Sequence, residues 1–156
     1  MNMRRRDREI TDFNEMVKII EKCDVCRLAL HDEEYPYIYP ANFGMEIEDG
    51  KVVLYFHGAL KGKKYDLMEK DNRVCFEMDC SHELYMDTEE MECTMRYESV
   101  IGQGHIEMIP DEKKYEALCI LMKQYHQEDF KFGTKVMPAT RVYKLVVEKM
   151  TGKRLA

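Results

Sequence analysis

No apolar run in this sequence approaches the ~20 residues that a membrane-spanning helix needs. The opening stretch, MNMRRRDREI, is basic but leads into no apolar segment, so it is not a secretory signal and the cytoplasm is the expected compartment. There is no G-x-S-x-G elbow, no H-E-x-x-H helix and no locally paired Cys/His nucleophile. If the chain is an enzyme, the difficult chemistry belongs to a cofactor. A strongly basic balance is also missing. The net charge of −6 speaks against a general nucleic-acid binder. Tryptophan is absent, which says little about function.

Cys23 and Cys26 have C-x-x-C spacing, but no second such pair exists to complete a zinc ribbon. They also sit at a helix end before a strand, the reverse of a redox dithiol, and read as two buried or half-buried thiols. Cys80, His82, Glu83 and Cys93 match no recognised zinc pattern, so no metal site is expected. In a reducing compartment all six cysteines are free thiols, with Cys26, Cys75 and Cys119 in apolar patterns that point to the core.

What is present is one domain's worth of chain, 156 residues with 45% hydrophobic and 35% charged. Residues 1–10 read as a flexible basic arm. Asp12 with Glu15 resembles a capping box, and Phe13, Met16, Val17 and Ile20 give a core-facing helix over 13–22. Strands are predicted over 25–30, 37–47, 51–56, 73–78, 95–108 and 140–148. Pro40 marks an edge or kink in the second, and Asp49-Gly50 is a hairpin signal. Residues 79–92 are acidic and read as a loop or a hairpin extension. Gly102 and Gly104 suggest a bend or a bulge. Pro110-Asp111 opens a helix with Tyr115, Leu118, Cys119, Met122 and Tyr125 on one face. This order is not an alternating βαβ run. It fits a mainly β fold, an antiparallel barrel with flanking helices.

The candidate site is Lys51 to Lys64, KVVLYFHGALKGKK. A strand runs into a turn with Gly58 and Gly62, and lysines open a helix over 63–70. Glycine lets a ligand approach the backbone, helix-start N–H groups are unpaired, and Lys61, Lys63 and Lys64 supply positive charge. That is a plausible phosphate seat, with His57 beside it as a weak acid–base candidate. A surface turn with solvated lysines fits the same residues.

RRRDREITD, YPANFGM, YFHGALKGKK with NRVCFEMD, RYESVIGQGHIEMI and the closing MTGKR occur in that order. Together they resemble the flavin-binding split-barrel proteins related to pyridoxamine 5′-phosphate oxidase, in the branch named for 5-nitroimidazole resistance. The resemblance spans residues 4–154. It implies a six-stranded antiparallel split barrel, a homodimer, and FMN at the subunit interface. His57, Gly58, Ala59, Lys61, Lys63 and Lys64 would then hold the phosphate and ribityl chain. Pro40, Ala41, Asn42 and Phe43 would face the flavin ring, and Ser99 and Val100 would line the other side. It further implies an FMN-dependent oxidoreductase with a nicotinamide-type donor and a small flat acceptor, nitroimidazole-like or pyridoxamine-phosphate-like. The alternatives are a flavin-binding or redox-sensing module without turnover, or a haem or deazaflavin binder on the same barrel. Lys63 stands where the family often has arginine, and the oxidases' substrate-phosphate residues find no match.

Overall fold

The computed structural model describes residues 2–133 and 135–156. Among these residues eight strands form one antiparallel sheet. In chain order they are β1 (Glu9–Ile10), β2 (Cys26–Leu30), β3 (Tyr37–Ala41), β4 (Gly44–Glu48), β5 (Lys51–Gly58), β6 (Arg73–Asp87), β7 (Glu92–Met108) and β8 (Arg141–Leu155). Three helices accompany them: α1 (Phe13–Lys22), α2 (Lys63–Lys70) and α3 (Lys114–Lys123). The sheet order is β3-β2-β6-β7-β8-β5-β4, with β1 paired to β8. No helix among the described residues is long and apolar enough to cross a membrane.

The strand count exceeds the expected six for two reasons. The predicted strand over 37–47 is divided at Asn42-Phe43 into β3 and β4, which lie at opposite edges of the sheet. Two residues therefore carry the chain from one edge to the other, and the sheet must curl round to let them. The basic arm is the second reason. Arg6–Arg8 form a 3-10 turn and Glu9–Ile10 pair with Gly152 and Lys153, so the end of the arm is fixed to β8 rather than free.

β5 shows how one strand serves two cores. Val52, Leu54 and Phe56 point into the main core, whereas Val53 and Tyr55 lie under α3 with Ala117, Leu118 and Val142. Burial on both faces explains its unbroken apolar run. Asp49 and Gly50, both at positive φ (51° and 76°), make the two-residue turn into β5. That is the turn geometry whose twist suits a tight hairpin.

α1 is capped by Asp12, whose carboxylate accepts from the Glu15 N–H at 2.9 Å. It buries Met16, Val17, Ile19 and Ile20. Its last carbonyls are capped from outside, since the Gln124 side-chain amide donates to Ile20 and Cys23 at 2.9 and 3.0 Å. Tyr125 extends the clamp, donating to the Asp24 carbonyl at 2.8 Å and accepting from the Phe43 N–H at 3.0 Å. α3 buries Lys114, Ala117, Leu118 and Leu121, a face rotated from the predicted one, and leaves Tyr115 exposed. Gly44 sets its position, because a Cβ there would lie 2.5 Å from the Leu121 Cα.

The predicted bulge is present between Gln103 and Gly104. Cys23 and Cys26 are buried, but Cys75 is exposed and Cys119 only partly covered. Alternation explains Cys75: Val74 and Phe76 take the inward positions of β6. Residues 79–92 are a hairpin extension, in which β6 and β7 stay paired out to Asp87 and Glu92.

Candidate functional site

β5 ends two residues later than its apolar run predicts, because His57 and Gly58 still pair with Val142 and Arg141. The chain then turns through Ala59–Gly62 into α2, which begins with the two adjacent lysines. No side chain caps this helix start, so its first N–H groups remain open donors. The turn is tied to the start of β8 by Arg141, which donates to the Leu60 carbonyl at 3.3 Å.

Gly58 is the floor of a small cradle. A Cβ built there would meet the Tyr65 hydroxyl at 2.7 Å and the Lys64 ammonium at 2.8 Å. The Tyr65 hydroxyl is buried and has no hydrogen-bond partner. A buried polar group without a partner costs about 1–3 kcal/mol, so its presence marks a place where a ligand atom is expected.

The charges around the cradle are equally incomplete. Lys64 lies over the rings of Tyr39, Tyr65 and Tyr143, at 5.1, 5.3 and 5.9 Å. Burial pushes its pKa down, and among the described residues no carboxylate pairs with it. Arg141 stacks on the other part of Tyr65, 4.5 Å from the ring centroid. Tyr143 is held by a 3.0 Å bond between its hydroxyl and that of Tyr39, and it stacks on Phe56. Two cations and a phenol donor thus converge on a glycine with no anion to meet them, which suits a compact anion such as a phosphate.

The other predicted residues divide. Lys63 points elsewhere, paired with Asp32 at 2.9 Å and lying over Tyr37. Lys61 and Ala59 are exposed on the turn. His57 is exposed at the end of β5, and partial desolvation, then the charge of Lys64, hold its pKa below the ordinary histidine value. Pro40 and Asn42 are exposed and Ala41 partly covered, with the Asn42 amide donating to the Asp24 carbonyl at 3.1 Å. Phe43 and Val100 lie fully inside the core, so within one chain neither presents surface to a ligand. Ser99 pairs with Lys153, near the far end of β8 from Arg141. Along an extended strand those positions are up to roughly 40 Å apart. Within one chain, Ser99 and the cradle are not brought together.

Sequence reasoning missed Tyr39, Tyr65, Arg141 and Tyr143. Tyr65 carried a legible signal, since it follows the lysines directly. Arg141 did not, because only the pairing of β5 with β8 brings it to Gly58.

The sequence profile of the pyridoxamine 5′-phosphate oxidase family matches residues 12–154. The chain belongs to this family. Among solved structures it is similar to a candidate 5-nitroimidazole antibiotic resistance protein from Bacteroides thetaiotaomicron, at 32% identity and a TM-score of 0.81, covering 94% of this chain and 86% of that one. An FAD- and heme-binding protein from Mycobacterium smegmatis aligns at 18% identity and a TM-score of 0.78, over 94% of this chain and 73% of that one. A flavocytochrome from Azotobacter vinelandii gives 18% identity and a TM-score of 0.79, over 99% and 72%. The latter two speak to the fold alone. No curated protein sequence matches significantly. As a member of the pyridoxamine 5′-phosphate oxidase family, the chain places its cradle on the strand–turn–helix segment that β5, α2 and the start of β8 build.

Proposed function

We propose that this protein binds FMN and works as an FMN-dependent oxidoreductase. It passes electrons to a small flat acceptor and acts as a homodimer with the cofactor at the subunit interface. The observation that carries the reading is the unpartnered Tyr65 hydroxyl beside Lys64 over Gly58. A phosphate monoester needs hydrogen-bond donors and positive charge, and this cradle offers both without a carboxylate to displace. Family membership supports the flavin over other phosphate esters.

Lys64 and Arg141 would neutralise the phosphate, Tyr65 would donate its hydroxyl, and the open N–H groups of α2 would complete the seat. Lys61 and His57 flank it. A histidine with a depressed pKa is neutral at pH 7 and offers one N–H donor and one acceptor for a proton near the ring. When bound, FMN supplies the two-electron redox chemistry that the side chains here lack. The separation of Ser99 from the cradle supports the dimer, since a second copy can bring one chain's Ser99 to the other's cradle.

The test is the visible spectrum of freshly purified protein, followed by heat release and identification of the chromophore. An oxidised-flavin spectrum with FMN released, and bleaching by a reduced nicotinamide, is the expected result. A colourless protein that also fails to bind added FMN overturns the reading.

A further inference from the structure

Beyond Cys80 the β6–β7 pair leaves the barrel. The register shifts between Cys80 and Glu83, and Ser81 takes a positive φ of 58°. Such a bulge bends a strand pair away from its former course. From there the ladder runs through Glu83↔Arg96, Leu84↔Met95, Tyr85↔Thr94 and Met86↔Cys93 to Asp87↔Glu92. The tip is well formed, with the Asp87 carboxylate accepting from the Glu89 and Glu90 N–H groups at 3.0 and 3.1 Å.

Directly paired residues share a face, so the ribbon is amphipathic. Glu83, Tyr85 and Arg96 hold one face together, with Arg96 lying 4.3 Å from the Tyr85 ring centroid. The other face is Leu84, Met86, Cys93 and Met95, and it is uncovered. Leu84 is 59% exposed, Met86 63% and Met95 48%. An isolated two-stranded ribbon is marginally stable in water, so a well-paired one with a bare apolar face calls for a covering surface.

We propose that this hairpin is a clasp for a second copy of this chain, laid on the partner's Leu60–Lys64 turn. The inference rests on the homodimer reading above and adds the element that makes the contact. Charge selects the occupant. No Lys or Arg occurs between Arg73 and Arg96, and residues 79–92 carry six carboxylates against a whole-chain net charge of −6, so the remainder is balanced. The turn offers the exposed Lys61 and Lys63, and Leu60, which is 49% exposed. The hairpin cannot reach its own turn. Its base lies at the Leu155 end of β8 and the turn at the Arg141 end, while its arm extends only about 20 Å. In a two-fold pair the same contact is made twice, hairpin to turn and turn to hairpin.

Two experiments on the full chain test this, both without added flavin. Carbodiimide cross-linking of a mixture of nitrogen-15-labelled and unlabelled chains is expected to join Glu89 or Glu90 to Lys61 or Lys63 in mixed-isotope peptides. Links confined to one chain, or none between hairpin and turn, overturn the clasp. Sedimentation of Leu84→Ser/Met86→Ser/Met95→Ser should show the dimer dissociation constant raised roughly a hundredfold. Should that variant misfold, Glu89→Lys/Glu90→Lys should weaken the dimer at low salt and Lys61→Glu/Lys63→Glu in the same chain should restore it. An unchanged dissociation constant, or a monomeric wild type, overturns the inference. A dimer that ignores FMN would instead sink the proposed function and leave the clasp standing.

Discussion

The two ends of β8 leave opposite things unsatisfied. At the Arg141 end polar groups stand without partners: the Tyr65 hydroxyl and the Lys64 ammonium. At the Leu155 end the buried polar group is fully paired. Glu98 meets Lys22, accepts from Ser81 at 2.9 Å and from Arg154 at 2.9 Å. Apart from the buried Arg8 Nε, what lacks a partner there is the apolar face of the hairpin. Unpaired donors call for a small anion that brings acceptors. Uncovered methyl and thioether groups call for another protein surface. One strand therefore carries a ligand end and an end that supplies the clasp.

The sharpest way to break this comparison is Lys64→Ala with Arg141→Ala. Removing two charge-assisted contacts should weaken FMN binding about a hundredfold, read by fluorescence titration, with the dimer intact. Unchanged affinity would mean that the polar vacancies at that end are not the phosphate seat.

At the other end the expected effect is on stability. Burial pushes the Glu98 carboxyl up, but Lys22, Arg154 and Ser81 outweigh it and hold it at about 2. Because the folded value lies below the unfolded one, its contribution is full above pH ~4.5 and is lost as pH falls towards 2. Glu98→Gln should lower stability by about 2 kcal/mol at pH 7, with the gap to wild type closing between pH 4.5 and 2 in denaturant melts. A gap that stays constant over that range would remove the ion-pair account.

Lys63 provides a finer contrast within the ligand end. It is exposed and already paired with Asp32, so Lys63→Ala should change FMN affinity less than about threefold. An effect equal to that of Lys64→Ala would show that Lys63 leaves Asp32 when ligand arrives. The smallest signal is on His57. Lys64→Met removes one of the causes of its lowered pKa, so its titration by NMR should move upward. No movement would place Lys64 too far to act on it.

Much of this was legible from the sequence, and for physical reasons. α2 was bounded correctly because the glycine before it and the lysine pair mark a helix start. The Asp49-Gly50 turn follows from a positive φ that few other residues tolerate, and Gly104 from a close approach, since a Cβ there would lie 2.0 Å from the Val146 carbonyl oxygen. The barrel type followed from motif order. The division at Asn42-Phe43 was hidden, since an extended chain that changes partners keeps its alternation. The cradle was half visible: Gly58 and Lys64 are local, but Arg141 and Tyr143 arrive through a long-range pairing that no local pattern encodes. Phe43 and Val100 illustrate the converse, where a motif names a residue but packing leaves it no open surface within one chain.

The two-residue step between β3 and β4 has one more consequence. It bridges the sheet's two margins with covalent bonds where neighbouring strands elsewhere use a ladder, and β3 and β4 are not paired with each other. Amide protons on the free margin of β3 should therefore exchange with solvent faster than those of β7, which is laddered on both sides. A single backbone cut between Asn42 and Phe43 would turn a hoop into a strip, releasing the margin that carries Tyr39 from the one that leads into Gly58.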